Sequence, residues 1–292
     1  MHEPVIVALA IDKFMEVGLH LTAYSILENT SSKIKFYLFY RDFNDSDIKR
    51  LHESLKIFKE KYELKVIPID DSQFKHFRSF YGNWMSYVRL IIPDHIEEKK
   101  AIYIDSDILV QDDISVLFNL SLQGKPIAAR SKYNMKESGD NHFFIERNLD
   151  LNAGYFNAGV LLIDIEKWKE NNYTSLCLKY TDNSRDKKFY FDQTILNAVF
   201  HNNFTNLTEN YNLSVAANST LKREELEGCY VHFIASPKPW DLFGEFKHNH
   251  YELFRETIDK TVFKGYNSFS ELSPRKLYRF LRIIKTYFFN QV

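Results

Sequence analysis

Val5-Ile6-Val7-Ala8-Leu9-Ala10 is an unbroken apolar run, which predicts a strand buried on both faces rather than one with a solvent face. Val17, Leu21, Tyr24 and Leu27 then recur at helical spacing, and Ile34 to Phe39 supplies a second strand-like run. The chain therefore opens β-α-β. Asn44-Asp45-Ser46-Asp47 has the character of a helix start, followed by Ile48, Leu51, Leu55 and Phe58 on one face and then by Leu64-Lys65-Val66-Ile67. Strands alternating with helices imply an α/β fold whose mainly parallel sheet is covered on both faces, with ligands bound at the carboxyl ends of its strands. No repeat, low-complexity tract or Pro/Gly/Ser-rich linker divides the chain before about residue 265. The predicted organisation is one body, residues 1–265, and a tail, residues 266–292.

Composition changes this picture in three places. Apolar residues make up 45% and aromatics 16% of the 292 residues, enough to bury a sizeable core, which excludes disorder for most of the chain. The net charge of −1 is uneven: Ser273 to Val292 carries Arg275, Lys276, Arg279, Arg282 and Lys285 and no acid, so five positive charges there are set against −6 elsewhere. A mildly acidic body does not fit a nucleic-acid binder. In the tail, Leu277, Phe280, Leu281, Ile284 and Phe288 lie at helical spacing with the basic residues beside them, the pattern of an interfacial helix on an anionic membrane. A terminal helix docked on the body is the other reading. Two cysteines, Cys177 and Cys229, are too few for a disulfide framework. With no basic n-region before the first strand and no apolar run approaching about 20 residues, the expected location is cytoplasmic, peripheral at the inner face of the cell membrane. Asn-x-Ser/Thr triplets such as Asn203-Phe204-Thr205 then read as chance matches.

Candidate chemistry begins at Ala101-Ile102-Tyr103-Ile104, a buried-strand pattern that ends in Asp105-Ser106-Asp107. In extended backbone, residues two apart face the same side, so two carboxylates are expected to converge at the mouth of the sheet. Hard oxygen ligands there suit Mg²⁺ or Mn²⁺ against a diphosphate. The sequence carries its own control, because the same tripeptide recurs at Asp45-Ser46-Asp47, where it reads as a helix cap.

Further stretches supply context: Tyr87-Val88-Arg89-Leu90, the run from Tyr155 to Ile163 containing Asn157-Ala158-Gly159, Phe191-Asp192-Gln193-Thr194-Ile195-Leu196-Asn197, and His232 followed by Lys238-Pro239-Trp240. Together with the Asp105-Ser106-Asp107 motif, in this order from about Val5 to Trp240, they resemble glycosyltransferase family eight, and in particular bacterial lipopolysaccharide and lipooligosaccharide galactosyl- or glucosyltransferases. The resemblance implies a type A glycosyltransferase fold, Rossmann-like, and transfer of a hexose from a UDP-sugar to a saccharide acceptor with retention of anomeric configuration. A lipid-linked cell-surface glycan is the implied acceptor.

Carried over position by position, the resemblance makes Asp105, Asp107 and His232 ligands of a manganese ion, with magnesium as a substitute. Ala10, Asp12, Ser106 and Lys238 fall on positions that hold the nucleotide, and Arg89 on one near the donor, where its fork either bridges phosphate and sugar oxygens or holds Asp105. Asn157, Asp192 and Gln193 fall beside the donor sugar. Asp192 also reads as an N-cap for the helix that follows. Gln193 is an amide and a poor nucleophile, which favours a front-face mechanism in which the leaving phosphate oxygen helps to deprotonate the acceptor.

Several positions depart from the family pattern. The family opening reads Ala-x-Asp-x-Asn-Tyr, and Ala10-Ile11-Asp12-Lys13-Phe14-Met15 replaces both the Asn and the base-stacking Tyr. Phe14 is then either a substitute stacking ring or a core residue. Arg130-Ser131 stands where many members place an aspartate, and Ala235 replaces a loop glycine. Two competing readings follow: a metal-dependent UDP-sugar hydrolase with the same ligands, and a catalytically silent nucleotide-sugar-binding subunit.

Overall fold

The computed structural model describes residues 3–75, 77, 84–180 and 191–269, with 277, 280 and 281. Its strands are β1 (Val5–Asp12), β2 (Ile34–Arg41), β3 (Tyr62–Pro68), β4 (Lys100–Ile104), β5 (Ile108–Val110), β6 (Ile127–Asn134), β7 (Gly154–Asp164), β8 (Phe204–Asn206), β9 (Leu213–Val215) and β10 (Tyr230–Phe233). Seven of them form one sheet in the order β3-β2-β1-β4-β7-β6-β8. The pairings of β1 with β2 and β4, of β2 with β3, and of β6 with β8 are parallel, whereas β7 runs antiparallel to both β4 and β6. The sheet is thus mostly parallel, with β7 as the reversed strand in its middle. Alternate residues of β1 enter the two opposite apolar clusters, Ile6 and Ala8 on one face and Val5, Val7 and Leu9 on the other, as a strand covered on both sides requires.

The remaining strands make a small sheet, β5-β10-β9. Helix Glu16–Glu28 lies between the two sheets, and every residue from Glu16 to Leu27 is buried. Helical spacing alone predicts one apolar stripe, and the observed burial is wider because the small sheet and helix Tyr251–Ile258 cover the other side. Its polar residues are used on that side: Thr22 Oγ1 donates to Ile108 O at 2.8 Å, Val110 N donates to Ser25 Oγ at 3.0 Å, and Asn29 Nδ2 donates to Val110 O at 2.9 Å. The open edge of β5 is thereby paired with side chains rather than with another strand. Gly18 lets the helix approach, since a Cβ there would lie 2.3 Å from Ser106 O.

Asp47 behaves as the cap read from sequence: Asn44 is the N-cap of helix Asp45–Ser54, and its backbone N donates back to Asp47 Oδ2 at 3.0 Å. Tyr266 and Ser268 are buried against the body. The tail expectation covers 266–292, of which 270–276, 278, 279 and 282–292 lie outside the described residues; Leu277 and Leu281 are exposed and the Phe280 ring packs 5.4 Å from that of Phe243. Among the described residues no helix is long and apolar enough to cross a membrane.

Candidate active site

Asp105 and Asp107 do converge, but in a turn between β4 and β5 rather than in extended backbone. The small sheet explains how the third group joins them. His232 on β10 pairs with Ile108 on β5, one residue past Asp107, and Phe233 N donates to Asp107 O at 3.0 Å. One ligand atom from each of Asp105, Asp107 and His232 falls within 4.8 Å of the others.

The imidazole is oriented by a chain of bonds that starts at a backbone donor. Gly159 N donates to Asn157 Oδ1 at 2.8 Å, which fixes that amide; Asn212 Nδ2 donates to the same oxygen at 2.9 Å. Asn212 therefore turns its Oδ1 to His232 Nδ1, 2.9 Å away, and the ring must donate there. In the neutral ring, Nε2 then points a lone pair at the carboxylates, 3.2 Å from Asp107 Oδ1 and 4.0 Å from Asp105 Oδ2. Among the described residues nothing besides that imidazole nitrogen approaches the buried Asp107 Oδ1 as a partner. Acceptors facing one another in this way are reconciled by a cation between them, so the residues present fit a divalent metal with a correctly tuned imidazole.

The other oxygen of Asp107 is engaged. Lys238 Nζ donates to Asp107 Oδ2 at 2.6 Å and also to Phe233 O, while Lys238 N donates to Asp241 Oδ2 at 2.8 Å. Burial works against the Asp107 carboxylate, but the Lys238 ammonium beside it outweighs burial and holds its pKa well below the usual range. Lys238 is accordingly neither solvated nor free: its ammonium is seated on the carboxylate cluster.

Arg89, in the short helical segment Met85–Leu90, takes the role of a clamp. It donates through Nη2 to Asp105 Oδ1 at 2.9 Å and through Nη1 to Ala158 O at 2.7 Å, with Nε 2.8 Å from Asp192 Oδ2. Of the two roles considered for it, this geometry gives the second, holding Asp105. Burial alone would weaken its charge, and Asp105 and Asp192 more than offset that. Tyr103, two residues before Asp105, lies under the guanidinium at 4.8 Å and donates to Asp105 Oδ1 at 2.6 Å. Asp192 corrects one expectation. The N-cap of helix Asp192–Val199 is Phe191, and Asp192 is its first residue, with its carboxylate on Arg89. Burial raises the Asp192 pKa, with Arg89 opposing.

A register shift ties these parts together. Ala129 pairs with Leu161 but Arg130 pairs with Asn157, so residues 158–160 of β7 have no partner on β6. The freed backbone groups of Ala158 are spent on the site: its N donates to Gln193 Oε1 at 3.1 Å and its O takes Arg89, while Gly159 O, on the β4 side, accepts from Asp105 N at 2.8 Å. Gly159 has to be glycine, because a Cβ would sit 2.6 Å from His232 Cε1.

The nucleotide-side residues lie at the end of β1. Ala10 is half-buried there; Asp12 is buried, accepts from Phe14 N at 3.0 Å and lies 3.5 Å from Arg41 Nη2. Ser106 is buried, with its backbone against Gly18. Phe14 is 42% exposed whereas Met15 packs into the apolar clusters, so Phe14 is not a core residue. Arg130 is buried, donating to Asn212 O at 2.6 Å and pairing with Glu209. Ala235 has φ 57°, the left-handed region that favours glycine. Two further residues complete the site, Tyr103 and Asn212; the two-residue period from Asp105 points to Tyr103, whereas nothing local in the sequence marks Asn212.

Comparison with known proteins bears on the family and the fold. The profile of the family described as glycosyl transferase family 8 matches residues 6–243. The chain is 29% identical over 217 residues to a probable glycosyl transferase, Gly, of Streptococcus gordonii, covering 73% of this chain but only 29% of that relative. It is 26% identical over 265 residues to the lipopolysaccharide 1,3-galactosyltransferase of Salmonella typhimurium, 85% of this chain and 76% of the other. The fold is similar to that of the galactosyltransferase LgtC solved in complex with donor and acceptor sugar analogues, with a TM-score of 0.74 and 18% identity over 94% of this chain and 100% of that one.

Proposed function

The chain belongs to glycosyl transferase family 8, and on that premise we propose that it moves a hexose, galactose or glucose, from a UDP-sugar to a saccharide acceptor with retention of anomeric configuration. Support comes first from the convergence of Asp105, Asp107 and His232 at the carboxyl end of β4. These three would hold a divalent manganese ion, with magnesium as a substitute. Bound there, the metal supplies Lewis-acid stabilisation of the charge that develops on the departing UDP phosphate.

The protein's own groups divide the remaining work. Asp105, Asp107 and Asp192 against Arg89 and Lys238 leave one net negative charge among these residues, so a divalent cation turns the site positive, the sign a diphosphate requires. Arg89 keeps Asp105 and Asp192 in fixed positions and leaves the phosphate to Lys238, a point charge on a flexible stem. Phe14, exposed beside Asp12, is the ring available to stack on uracil. Gln193 has its carbonyl oxygen on Ala158 N and its amide on Tyr155, which suits a fixed dipole at the reacting face better than a nucleophile. Asn157 orients Asn212 and, through it, His232. The basic, apolar tail is the part that would hold the protein at an anionic membrane surface, beside a lipid-linked acceptor.

The test is a screen of UDP-sugars with manganese, reading UDP release with and without saccharide acceptors, followed by proton NMR of the product. Transfer that stops in chelator and in Asp107→Ala, and gives an α-linkage from the α-linked donor, is the expected result. UDP release indifferent to every acceptor would favour a hydrolase, and a β-linked product would exclude retention.

A further inference from the structure

We propose that Asp140 and Tyr155 are positioning residues that set which way the Gln193 amide faces; this rests on the reading of Gln193 as a group at the reacting face of the donor sugar. Tyr155, near the start of β7, and Asp140, before helix Asn141–Ile145, belong to a cluster beside the metal-ligand site that has no role in the account above. Tyr155 Oη donates to Asp140 Oδ2 at 2.9 Å, and Gln193 Nε2 donates to Tyr155 Oη at 3.0 Å. Thr194 Oγ1 donates to the same Asp140 oxygen at 2.5 Å.

The directions of these bonds follow from proton counting. An ionised carboxylate only accepts, so the single hydroxyl proton of Tyr155 goes to Asp140 and its lone pair is left for Gln193. Gln193 must then turn its NH₂ to Tyr155 and its carbonyl oxygen away, toward Ala158 N, where a backbone donor independently demands an oxygen. Both ends of the amide are specified, one by a backbone N–H and the other by a charge two bonds removed. Take away Asp140 or the Tyr155 hydroxyl and only the Ala158 constraint is left. Tyr155 is well suited to relay this constraint. Its ring stacks on Tyr133 with centroids 5.5 Å apart and meets Phe144 edge-on at 5.9 Å. Burial, with Asp140 adding to it, pushes the phenol pKa up, so the hydroxyl keeps its proton.

The orientation matters because Gln193 is half-buried, one residue from Asp192 and bonded to the same Ala158 that Arg89 holds. A reversed amide would exchange a donor for an acceptor there with no change of shape.

The experiment measures UDP release from UDP-galactose and UDP-glucose with manganese, separating kcat from donor KM, for Tyr155→Phe, Asp140→Ala, Asp140→Asn, Gln193→Ala and the Tyr155→Phe/Gln193→Ala pair. Tyr155→Phe and Asp140→Ala should each lower kcat about tenfold with donor KM within about twofold. Asp140→Asn, which keeps an acceptor oxygen, should recover part of the loss. The double variant should be no worse than Gln193→Ala alone, because both changes act through one group. Losses that multiply in the double variant, or a fall in melting temperature with kcat intact, would overturn the positioning role while leaving Gln193 in place. If Gln193→Ala itself left kcat unchanged, the reading of Gln193 would fall first and this proposal with it. Where Asp140→Ala does not fold, Tyr155→Phe carries the test, since it removes one oxygen from a ring that stays packed.

Discussion

The Lys238 ammonium lies 2.6 Å from Asp107 Oδ2, inside the group of side chains that would hold a divalent ion. A metal arriving there meets a carboxylate already neutralised by an internal cation, and the lysine is the group that would be released toward a diphosphate. Replacing Lys238 with Met should therefore tighten manganese binding in the absence of nucleotide by about tenfold, roughly one pair interaction's worth. Stability should shift with it: without metal the variant melts lower, because Asp107 is left buried and unpaired, and manganese raises its melting temperature more than that of the parent. Transfer should nonetheless fall, since the phosphate loses its contact. Titration calorimetry and melting curves check the first two effects, and weaker metal binding in the variant would count against the competition.

Asn212 makes no contact with the proposed metal position except through His232, yet it fixes which imidazole nitrogen faces the carboxylates. Asn212→Leu should weaken manganese binding by about 10- to 100-fold, the range seen when the outer partner of a ligating histidine is lost. Asn212→Asp keeps the acceptor and should retain most of the affinity. Equal binding by parent and leucine variant would show that the ring orientation is held elsewhere.

How far the sequence announces this arrangement differs from part to part. The β-α-β opening is legible because strands buried on both faces are continuous apolar runs and the helices between them carry period and cap signals, as Asn44 and Asp47 do. The reversed direction of β7 is not legible, because a fully buried strand has the same composition whichever way it runs. Nor are β5, β8 and β9, each of three residues, too short for any period to register. Asp105, Asp107 and His232 were found by motif, but what brings them together is the pairing of β5 with β10, a contact between segments over a hundred residues apart. The seat of Lys238 on Asp107 and the burial of Arg89 between two aspartates depend on tertiary placement alone, so the sequence offers their residue types without their partners.

Phe14 sits exposed at the end of β1, beside the buried Asp12, in a position that apolar packing does not explain. Stacking on a nucleobase is worth about 1–3 kcal/mol per base. Phe14→Ala should accordingly raise the KM for the UDP-sugar about tenfold or more, with kcat and melting temperature little changed because the ring supports no core contacts. Phe14→Tyr or Phe14→Trp should bind like the parent. Steady-state kinetics at saturating manganese check this, and an unchanged KM in the alanine variant would remove Phe14 from the nucleotide site.

His20 gives a pH dependence that is independent of catalysis. It is fully buried in helix Glu16–Glu28, with Nδ1 2.7 Å from Ser54 Oγ, Nε2 without a partner among the described residues, and its ring edge-on to Phe263 at 4.8 Å. Burial, reinforced by the positive charges of Arg50 and Lys13 and only partly opposed by Asp47, lowers its pKa from 6.5 to about 3. The sign follows from proton counting. Above about pH 6.5 neither state binds a proton at this ring, and its contribution to stability is fully present. Between about 6.5 and 3 the unfolded chain takes up a proton that the folded protein refuses, so stability falls by about 1.4 kcal/mol for each pH unit across that window. His248, lowered to about 4 by burial and by the nearby His250 and Lys238, adds to the fall over a narrower range. His20→Gln removes its share of this fall. Its melting temperature at neutral pH should drop modestly, and the slope of melting temperature against pH between about 6 and 4 should be visibly shallower than in the parent. Thermal melts followed by circular dichroism over that range decide the matter: parallel slopes in parent and variant would mean that His20 is protonated in the folded protein, or that its neutral form is not what burial enforces.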